Sequence, residues 1–279
     1  MSLFIRLQYI TPQRSLTALC GWLANRSWPI LKNAFIRFFI RQYDVNMQEA
    51  VHPNASDYAT FNAFFTRHLK PGARPIEKNA TQLISPVDGK VYQTAAVQDG
   101  ELIQAKGKSF SLQALLGDNN TSHLEAGYFT TLYLSPKDYH RVHMPIDGKL
   151  ARTTYIPGQL FSVNPITTAH VDNLFARNER LICHFDTEHG PLVVIFVGAM
   201  IVGSIHTSWA GQVKRGKQGQ IVTTDYQDQA LHYAQGDEIG FFQLGSTIIL
   251  LTPNANQISS MTAIGQSIKM GQPIAQINA

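Results

Sequence analysis

A change in the pattern of apolar residues near residue 84 constrains the fold of this chain more than any other feature. From there onward, short apolar runs rich in Val and Ile alternate with turn residues, whereas the preceding sequence has a helical pattern. A Pro-apolar-Asp-Gly-Lys-apolar pattern occurs at 85–91 and again at 144–150, and "QGDEI" (235–239) and "KMGQPIAQI" (269–277) add similar turn-strand units. Asp-Gly is a common turn on its own. The repetition nevertheless favours an α+β protein with a mainly antiparallel β core, built as packed sheets or a barrel-like sandwich.

Several elements follow from local patterns. "GKVYQTAAVQDGELIQA" predicts a hairpin around Asp99-Gly100, and "LICHFDTEHGPLVVIFV" predicts a second hairpin. The uncharged run 191–205 is too short to span a membrane and predicts a buried strand. Upstream, "YATFNAFFTRHL" (58–69) predicts a helix that "KPGARP" ends.

The N-terminal region is amphipathic and basic. Residues 1–43 contain six basic residues and no acidic one. Helical spacing places bulky apolar residues on one face and arginines on the other: Trp28, Leu31, Phe35, Phe38 and Phe39 against Arg26, Arg37 and Arg41. Arg6 interrupts the one stretch that resembles a signal-peptide core. The pattern predicts either helices lying on an anionic membrane or helices packed on their own domain.

Composition narrows the class of protein. The 279 residues are 44% hydrophobic and carry a net charge of +4, which allows an anionic partner of any kind. Cys20 and Cys183 form neither a disulfide framework nor a zinc pattern, and favour a reducing compartment.

The segment "SPKDYHRVHMP" (135–145) places His140 and His143 three residues apart. Two histidines at this spacing suit general acid-base work or metal binding, or are simply hydrogen-bonded in a loop. A metal site needs a third protein ligand, and neither HExxH nor a cysteine pair supplies one. A membrane-surface, metal-dependent hydrolase using His140 and His143 remains the alternative function.

Two further features of the sequence are candidates for a chemical role. Asp88 lies in the first copy of the repeat, and Asp147 occupies the equivalent place in the second; each is also typical of a turn. Gly245-Ser246 interrupts the strand-like run "DEIGFFQLGSTIILLTPN", but the surrounding residues lack the Gly-x-Ser-x-Gly elbow of serine hydrolases. The dipeptide is either a reactive site or a bulge in a non-enzymatic, membrane-binding β protein.

Taken together, these segments resemble the phosphatidylserine decarboxylases, pyruvoyl-dependent membrane enzymes, over nearly the full length of the chain. The resemblance is carried by seven segments in the family's order: "FNAFFTRHLKPGARPI" (61–76), "SPVDGKV" (85–91), "KGKSFSLQALLG" (106–117), "LSPKDYHRVHMP" (134–145), "LFSVNP" (160–165), "VGAMIVGSI" (197–205) and "FFQLGSTIILL" (241–251).

The resemblance implies that the chain cuts itself between Gly245 and Ser246, giving a β chain of residues 1–245 and an α chain of residues 246–279. Ser246 then becomes a pyruvoyl group, which replaces pyridoxal phosphate as electron sink, and no metal is expected. This group forms a Schiff base with phosphatidylserine, and loss of CO2 gives phosphatidylethanolamine.

The resemblance also implies residue roles. His143 is the base for self-cleavage, and Asp88 orients it. His140 serves the decarboxylation step as proton donor or substrate orienter. Ser162 and Asn164 in "LFSVNP" are candidate ligands of the substrate phosphate.

The resulting organisation is a membrane-associating helical region over residues 1–45 and a decarboxylase domain over 46–279. We expect a peripheral protein on the cytoplasmic side of the cell membrane, bound to anionic phospholipid and not to nucleic acid. The oligomeric state stays open, with a homodimer of the αβ unit as one option.

Overall fold

The computed structural model describes residues 3–105, 107–200, 204–213, 219–243 and 246–278. Its α-helices are α1 (Leu3–Ile10), α2 (Gln13–Ala24), α3 (Pro29–Tyr43), α4 (Phe61–Phe65), α5 (Leu112–Leu116), α6 (Pro165–Thr168) and α7 (Leu174–Arg177). Short 3-10 turns lie at Ala55–Asp57, Ser122–Leu124, Gln227–Gln229 and Ala255–Gln257. Among the described helices, none combines the length and apolar character needed to cross a bilayer.

The described strands all lie after residue 81. They are β1 (Gln82–Ile84), β2 (Gly89–Ala96), β3 (Glu101–Ala105), β4 (Lys108–Ser111), β5 (Tyr128–Leu134), β6 (Arg141–His143), β7 (Gly148–Ile156), β8 (Arg180–Thr187), β9 (Gly190–Val197), β10 (Ile205–Thr207), β11 (Gly211–Gln212), β12 (Val222–Asp225), β13 (His232–Tyr233), β14 (Glu238–Phe242), β15 (Ser246–Thr252), β16 (Ile258–Ser260), β17 (Ser267–Ile268) and β18 (Pro273–Ile277).

The strands assemble into several antiparallel sheets. The largest has the order β12-β7-β8-β9-β15-β5-β2-β17, with β13 added beside β7. Smaller sheets have the orders β11-β10-β14-β6, β1-β18-β16 and β3-β4. The prediction of an antiparallel β core preceded by helices is therefore confirmed, and the described strands do not close into a barrel.

The central strand of the large sheet is β15. It pairs with β5 over all seven of its residues and with β9 over five. Its apolar residues, such as Ile248 and Leu250, are buried in the main core between the sheets. A continuous apolar strand is expected where both faces are covered.

The two copies of the repeated pattern pack against each other. The Ile84 N–H donates to the Pro145 carbonyl at 3.0 Å, and the His143 N–H donates to the Pro86 carbonyl at 2.8 Å. Ile84 and His143 hold equivalent positions in the repeat, as do the two prolines. The exchange of equivalent bonds relates the copies by a local two-fold axis.

The two turn-strand units obey the same symmetry. The Gly236 N–H donates to the Met144 carbonyl at 2.9 Å, and the Gly271 N–H donates to the Ser85 carbonyl at 3.0 Å. Both glycines have φ near +90°, which favours glycine because it lacks a Cβ. The echo seen in the sequence is thus a structural repeat.

A second, smaller core packs the N-terminal helices α2 and α3 against α4 and the segment that precedes it. Ile36 and Phe39 of α3 pack against the aromatic side chains of Phe61, Phe64 and Phe65 in α4. Phe39 is therefore a core residue, whereas the other members of the predicted apolar face are exposed: Trp28, Leu31, Phe35 and Phe38.

Three local predictions can be compared with the structure. The hairpin ending in "PLVVIFV" is correct, because β8 and β9 pair over their full length, although residues 201–203 of the uncharged run lie outside the described part. A turn does form at Asp99-Gly100, but β2 pairs with β5 and β17 while β3 pairs with β4. The helix predicted over 58–69 is confined to α4, because residue 69 bridges to residue 50.

Candidate active site

Ser246 is the first residue of the central strand. Its side chain is fully buried, and its Oγ has no hydrogen-bond partner. An unpaired buried hydroxyl costs about 1–3 kcal/mol, and such groups in a native protein call for a functional explanation. Leu244 and Gly245, which complete the predicted cleavage motif, lie outside the described residues.

Two loops bring the histidine segment beside this serine. Ser246 pairs with Leu134 across the β15–β5 ladder, and the Phe242 N–H donates to the His140 carbonyl at 3.1 Å. Segments 134–140 and 242–246 are therefore joined at both ends. Within the first of them, Asp138 accepts hydrogen bonds from the N–H and the hydroxyl of Ser135, each at 2.7 Å.

His140 is completely buried. Its ring stacks on Phe65 with centroids 4.0 Å apart, and neither ring nitrogen makes a well-formed hydrogen bond. Burial lowers the pKa of His140 to about 3, helped by the positive charge of Arg67, while the backbone at Ser135 and Pro136 opposes the shift. The imidazole is therefore neutral at physiological pH.

His143 has both ring nitrogens engaged. Nδ1 lies 2.8 Å from the Gly236 carbonyl, which can only accept, so Nδ1 carries the proton. Nε2 is then the acceptor for the Tyr139 hydroxyl at 3.0 Å. Burial lowers the pKa of His143. A neutral imidazole with Nε2 as acceptor is the form that a general base requires.

Asp88 is buried and held by a guanidinium. Arg74 Nε donates to Oδ1 at 2.8 Å, a second Arg74 N–H donates to Oδ2, and the Met270 N–H donates to Oδ1 at 2.9 Å. Arg74 also binds Glu49 at 2.7 Å. The direct hydrogen bond expected between Asp88 and His143 is not formed, because Arg74 takes the carboxylate and Gly236 takes the imidazole N–H. The negative charge of Asp88 still favours the protonated form of His143.

The rival aspartate has a different environment. Asp147 accepts from the Gln235 N–H at 2.6 Å, which matches the Asp88–Met270 bond under the local two-fold axis. Asp147 is nevertheless exposed, whereas Asp88 is buried. The structure thus separates two positions that the residue pattern left equal.

A cavity of about 400 Å³ opens next to these residues. Its lining contains both acidic and basic side chains and includes Asp88, Lys90, Tyr133, Ser135, Asp138 and Lys269. Tyr133 pairs with Thr247, so this cavity lies on the opposite face of β15 from the Ser246 side chain.

Ser162 and Asn164 have other partners. The Ser162 N–H donates to the Gln8 side chain at 2.9 Å, and the Asn164 side-chain Oδ1 caps α6 by accepting from the Thr167 N–H at 2.8 Å. Asn178 links this segment to the main site, because its amide donates to the carbonyls of Phe161 and Gly198. Among the described hydrogen bonds, those of Ser162 and Asn164 join them to α1 and to their own segment rather than to Ser246.

Sequence reasoning missed the partners of the predicted residues. In the sequence, Arg74 is recognisable only as part of a helix-breaking segment, and no pattern assigns a role to Tyr139, Phe65 or Gly236. The available signal for Arg74 is its place between two prolines in a segment that carries the family resemblance. The other contacts depend on tertiary structure.

Metal binding finds no support in the donor geometry. Within the described residues, no three His, Cys, Asp or Glu side chains are arranged to hold an ion. The nitrogens of His143 are occupied by Tyr139 and Gly236, and the ring of His140 faces Phe65.

Comparison with known proteins agrees with the family resemblance of the sequence motifs along nearly the whole chain. A family model described as "Phosphatidylserine decarboxylase" matches residues 61–276, and one described as "PSD" matches residues 3–44. A phosphatidylserine decarboxylase proenzyme of Marinobacter nauticus is 48% identical, over 99% of this chain and 98% of its own length. Proenzymes of the same name from Actinobacillus pleuropneumoniae (47%; 98% and 94%) and Aliivibrio fischeri (48%; 99% and 98%) are equally similar. With nearly half of its residues shared over almost the whole length of such proteins, this chain belongs to the phosphatidylserine decarboxylase family.

Proposed function

We propose that this protein is a self-cleaving decarboxylase that converts phosphatidylserine to phosphatidylethanolamine. The observation that carries the proposal is the buried, unpartnered hydroxyl of Ser246 at the start of the central strand, in a chain so similar to proenzymes of this name. The residues present fit a pyruvoyl group made from residue 246, because that position is buried and its polar atom has no structural use.

Cleavage requires no atoms beyond the chain and water. The Ser246 hydroxyl loses its proton to a base, and Oγ attacks the Gly245 carbonyl carbon. The amide C–N bond breaks as an ester C–O bond forms. Removal of the Cα proton of residue 246 then expels the residue 245 carboxylate, and water converts the remaining dehydroalanine to a ketone with loss of ammonia.

His143 is the proposed base. It is neutral and has Nε2 free of a proton, but the Tyr139 hydroxyl occupies that lone pair in the uncut chain. The hydroxyl must either turn away or pass its own proton to Nε2 while it receives one from Ser246. The ion-paired Asp88 acts through space, since its charge favours the imidazolium that forms.

His140 is the proposed partner of the substrate in the second reaction. When present, the pyruvoyl ketone supplies the electron sink for decarboxylation. The neutral state of His140 favours a role as an oriented N–H donor over that of a cationic acid, because charging the buried ring is unfavourable.

The N-terminal helices are the proposed membrane contact. Of the twenty large apolar residues exposed among the described residues, thirteen lie between Phe4 and Tyr43, including Ile30 at 85%. Such a concentration marks an interaction surface. Arg37 and Arg41 lie exposed on the same helices, and each cation near an anionic surface adds about 1 kcal/mol of attraction. We propose peripheral binding at the cytoplasmic face of the cell membrane.

Intact mass measurement tests self-cleavage. The purified wild-type chain should give two masses, for residues 1–245 and 246–279, with the shorter chain blocked at its N-terminus. Ser246→Ala should give one inactive, uncut chain, because it lacks the attacking hydroxyl.

Thr247→Val is the matched control. Thr247 carries the next hydroxyl along β15, which is also buried without a partner, so its removal should leave cleavage intact. Cutting of the Ser246→Ala chain at the same bond would refute the assignment.

A further inference from the structure

Gln8 occupies an unusual position on the first helix. Helix α1 exposes Phe4, Leu7 and Ile10, yet Gln8 is only 2% exposed. Its Nε2 donates to the Thr167 hydroxyl at 3.1 Å, and its Oε1 accepts from the Ser162 N–H at 2.9 Å. A buried amide with both ends satisfied fixes the helix against segment 160–167.

Gln13, at the start of α2, makes a second attachment. Its Oε1 accepts from the Leu160 N–H at 2.7 Å, and its Nε2 donates to the Gln8 carbonyl at 2.8 Å. The Tyr9 ring packs edge-on against Phe161 with centroids 5.0 Å apart. The backbone N–H groups of residues 160 and 162 are thus both satisfied by glutamines of the N-terminal helices.

The attached segment leads to the reactive strand in two steps. Asn178 is completely buried; its Oδ1 accepts from the Phe161 N–H at 3.0 Å, and its Nδ2 donates to the carbonyls of Phe161 at 2.8 Å and Gly198 at 2.9 Å. Gly198 directly follows Val197, which pairs with Thr247 in the sheet. Each step is a hydrogen bond between buried groups or a strand pair.

We propose that Gln8 and Gln13 are positioning residues for decarboxylation. They hold segment 160–162 in place beside the strand that begins with Ser246, so that this segment forms a wall of the substrate site. The helices that carry the exposed apolar surface are therefore also part of the frame of that site. The inference rests on the proposed function, and it predicts an effect on substrate binding that does not depend on membrane attachment.

Gln8→Met and Gln13→Met test this role, because methionine keeps the side-chain length and removes the amide. Self-cleavage should remain complete by intact mass. Co-sedimentation with vesicles of phosphatidylglycerol and phosphatidylcholine should match the wild type. With a short-chain, water-soluble phosphatidylserine, KM should rise about tenfold, the scale expected when a buried N–H loses its acceptor, with a smaller change in kcat.

Hydrogen exchange gives an independent readout. The amide of residue 162 should exchange faster in Gln8→Met, and that of residue 160 should exchange faster in Gln13→Met. Gln8→Glu keeps the acceptor for the Ser162 N–H, so it should restore slow exchange and most of the affinity. Gln113→Met, at an exposed position on α5, is the matched control and should change neither quantity.

Two results would overturn the proposal. One is a wild-type KM for the water-soluble substrate in both variants, whether or not exchange at residues 160 and 162 becomes faster. The other is a kinetic defect that appears only on vesicles and follows a loss of vesicle binding, which would make the helices anchors alone. A wild-type protein that is cut but does not decarboxylate phosphatidylserine would refute the proposed function instead, while the exchange data would still decide whether the glutamines hold the segment.

Discussion

At the scale of the residue, equivalent positions in the two copies of the repeat make the same backbone hydrogen bonds but place their side chains in different environments. Asp88 and Asp147 each accept one N–H from an equivalent position, but Asp88 is buried against Arg74 while Asp147 is exposed. His143 likewise occupies the place that Ile84 holds in the other copy. The two copies of the scaffold therefore contribute different groups to the site: Asp88 comes from the first copy and His143 from the second.

The two histidines should separate by function. His140→Ala should still cut itself, because the proposed base is His143, but it should decarboxylate phosphatidylserine poorly. Parallel mass and CO2-release measurements check this. An uncut His140→Ala chain would mean that the two roles have been exchanged.

Arg74 should be needed for both stability and cleavage. Arg74→Met leaves the buried Asp88 without its cation, which typically costs about 3–5 kcal/mol. We expect slower self-cleavage because the charge near His143 is no longer held in place. Denaturant unfolding in the uncut Ser246→Ala background and cleavage rates in the otherwise wild-type chain measure the two effects.

Lys108→Met provides the comparison for Arg74. It removes an ion pair with the exposed Asp172, so it should change stability little and leave cleavage unchanged. Equal behaviour of the two variants would argue that the Arg74 pair is ordinary surface electrostatics.

At the scale of the element, sequence patterns predicted those elements whose contacts join residues close together in the chain. The β8–β9 hairpin and the Asp-Gly turns are set by neighbouring residues. The pairing of β2 with β5 joins residues far apart in sequence, so the Asp99-Gly100 turn could not reveal it. The site residues came from family resemblance, whereas the state of His143 depends on a carbonyl 93 residues away.

Gly236 tests how closely an element governs the site. Its φ of +90° is strained for other residues, and an added Cβ would lie 2.3 Å from Ile76 Cδ1. Gly236→Ala should cost about 2–3 kcal/mol. It should also slow cleavage, because the Gly236 carbonyl orients His143.

Gly117→Ala matches this change away from the site. Gly117 also has a positive φ, and its added Cβ would lie 2.5 Å from Ile156 Cδ1. This variant should lose stability and keep its cleavage rate. A normal cleavage rate in Gly236→Ala would show that strain at this position does not disturb the orientation of His143.

At the scale of the whole molecule, burial of histidines couples folding to pH. Burial lowers the pKa of His140 to about 3 and of His184 to about 4, and it also lowers the pKa values of His68, His143 and His206. In the unfolded chain the pKa of a histidine is about 6.5. Below that pH the unfolded state therefore binds more protons than the folded state, and acid favours unfolding.

The free energy of unfolding should be greatest above about pH 7 and should fall as the pH drops from 6.5 to 5. Each buried histidine contributes at most about 1.4 kcal/mol per pH unit. Urea titrations of the uncut Ser246→Ala chain measure the slope. His140→Phe in that background removes one of these groups and should lower the slope by up to about 1.4 kcal/mol per pH unit.

The position of Ser246 at the head of a central strand has a consequence for what the enzyme looks like after activation. The new N-terminus would be held in place, because β15 is paired with β5 from Ser246 onward and with β9 from Thr247 onward. Residues 246–278 also supply β16, β17 and β18, which are woven into the sheets of the longer chain. The α chain should thus remain bound to the β chain until denaturant separates them. Its reactive N-terminus would stay fixed in the sheet, so the lipid headgroup must move to the reactive group.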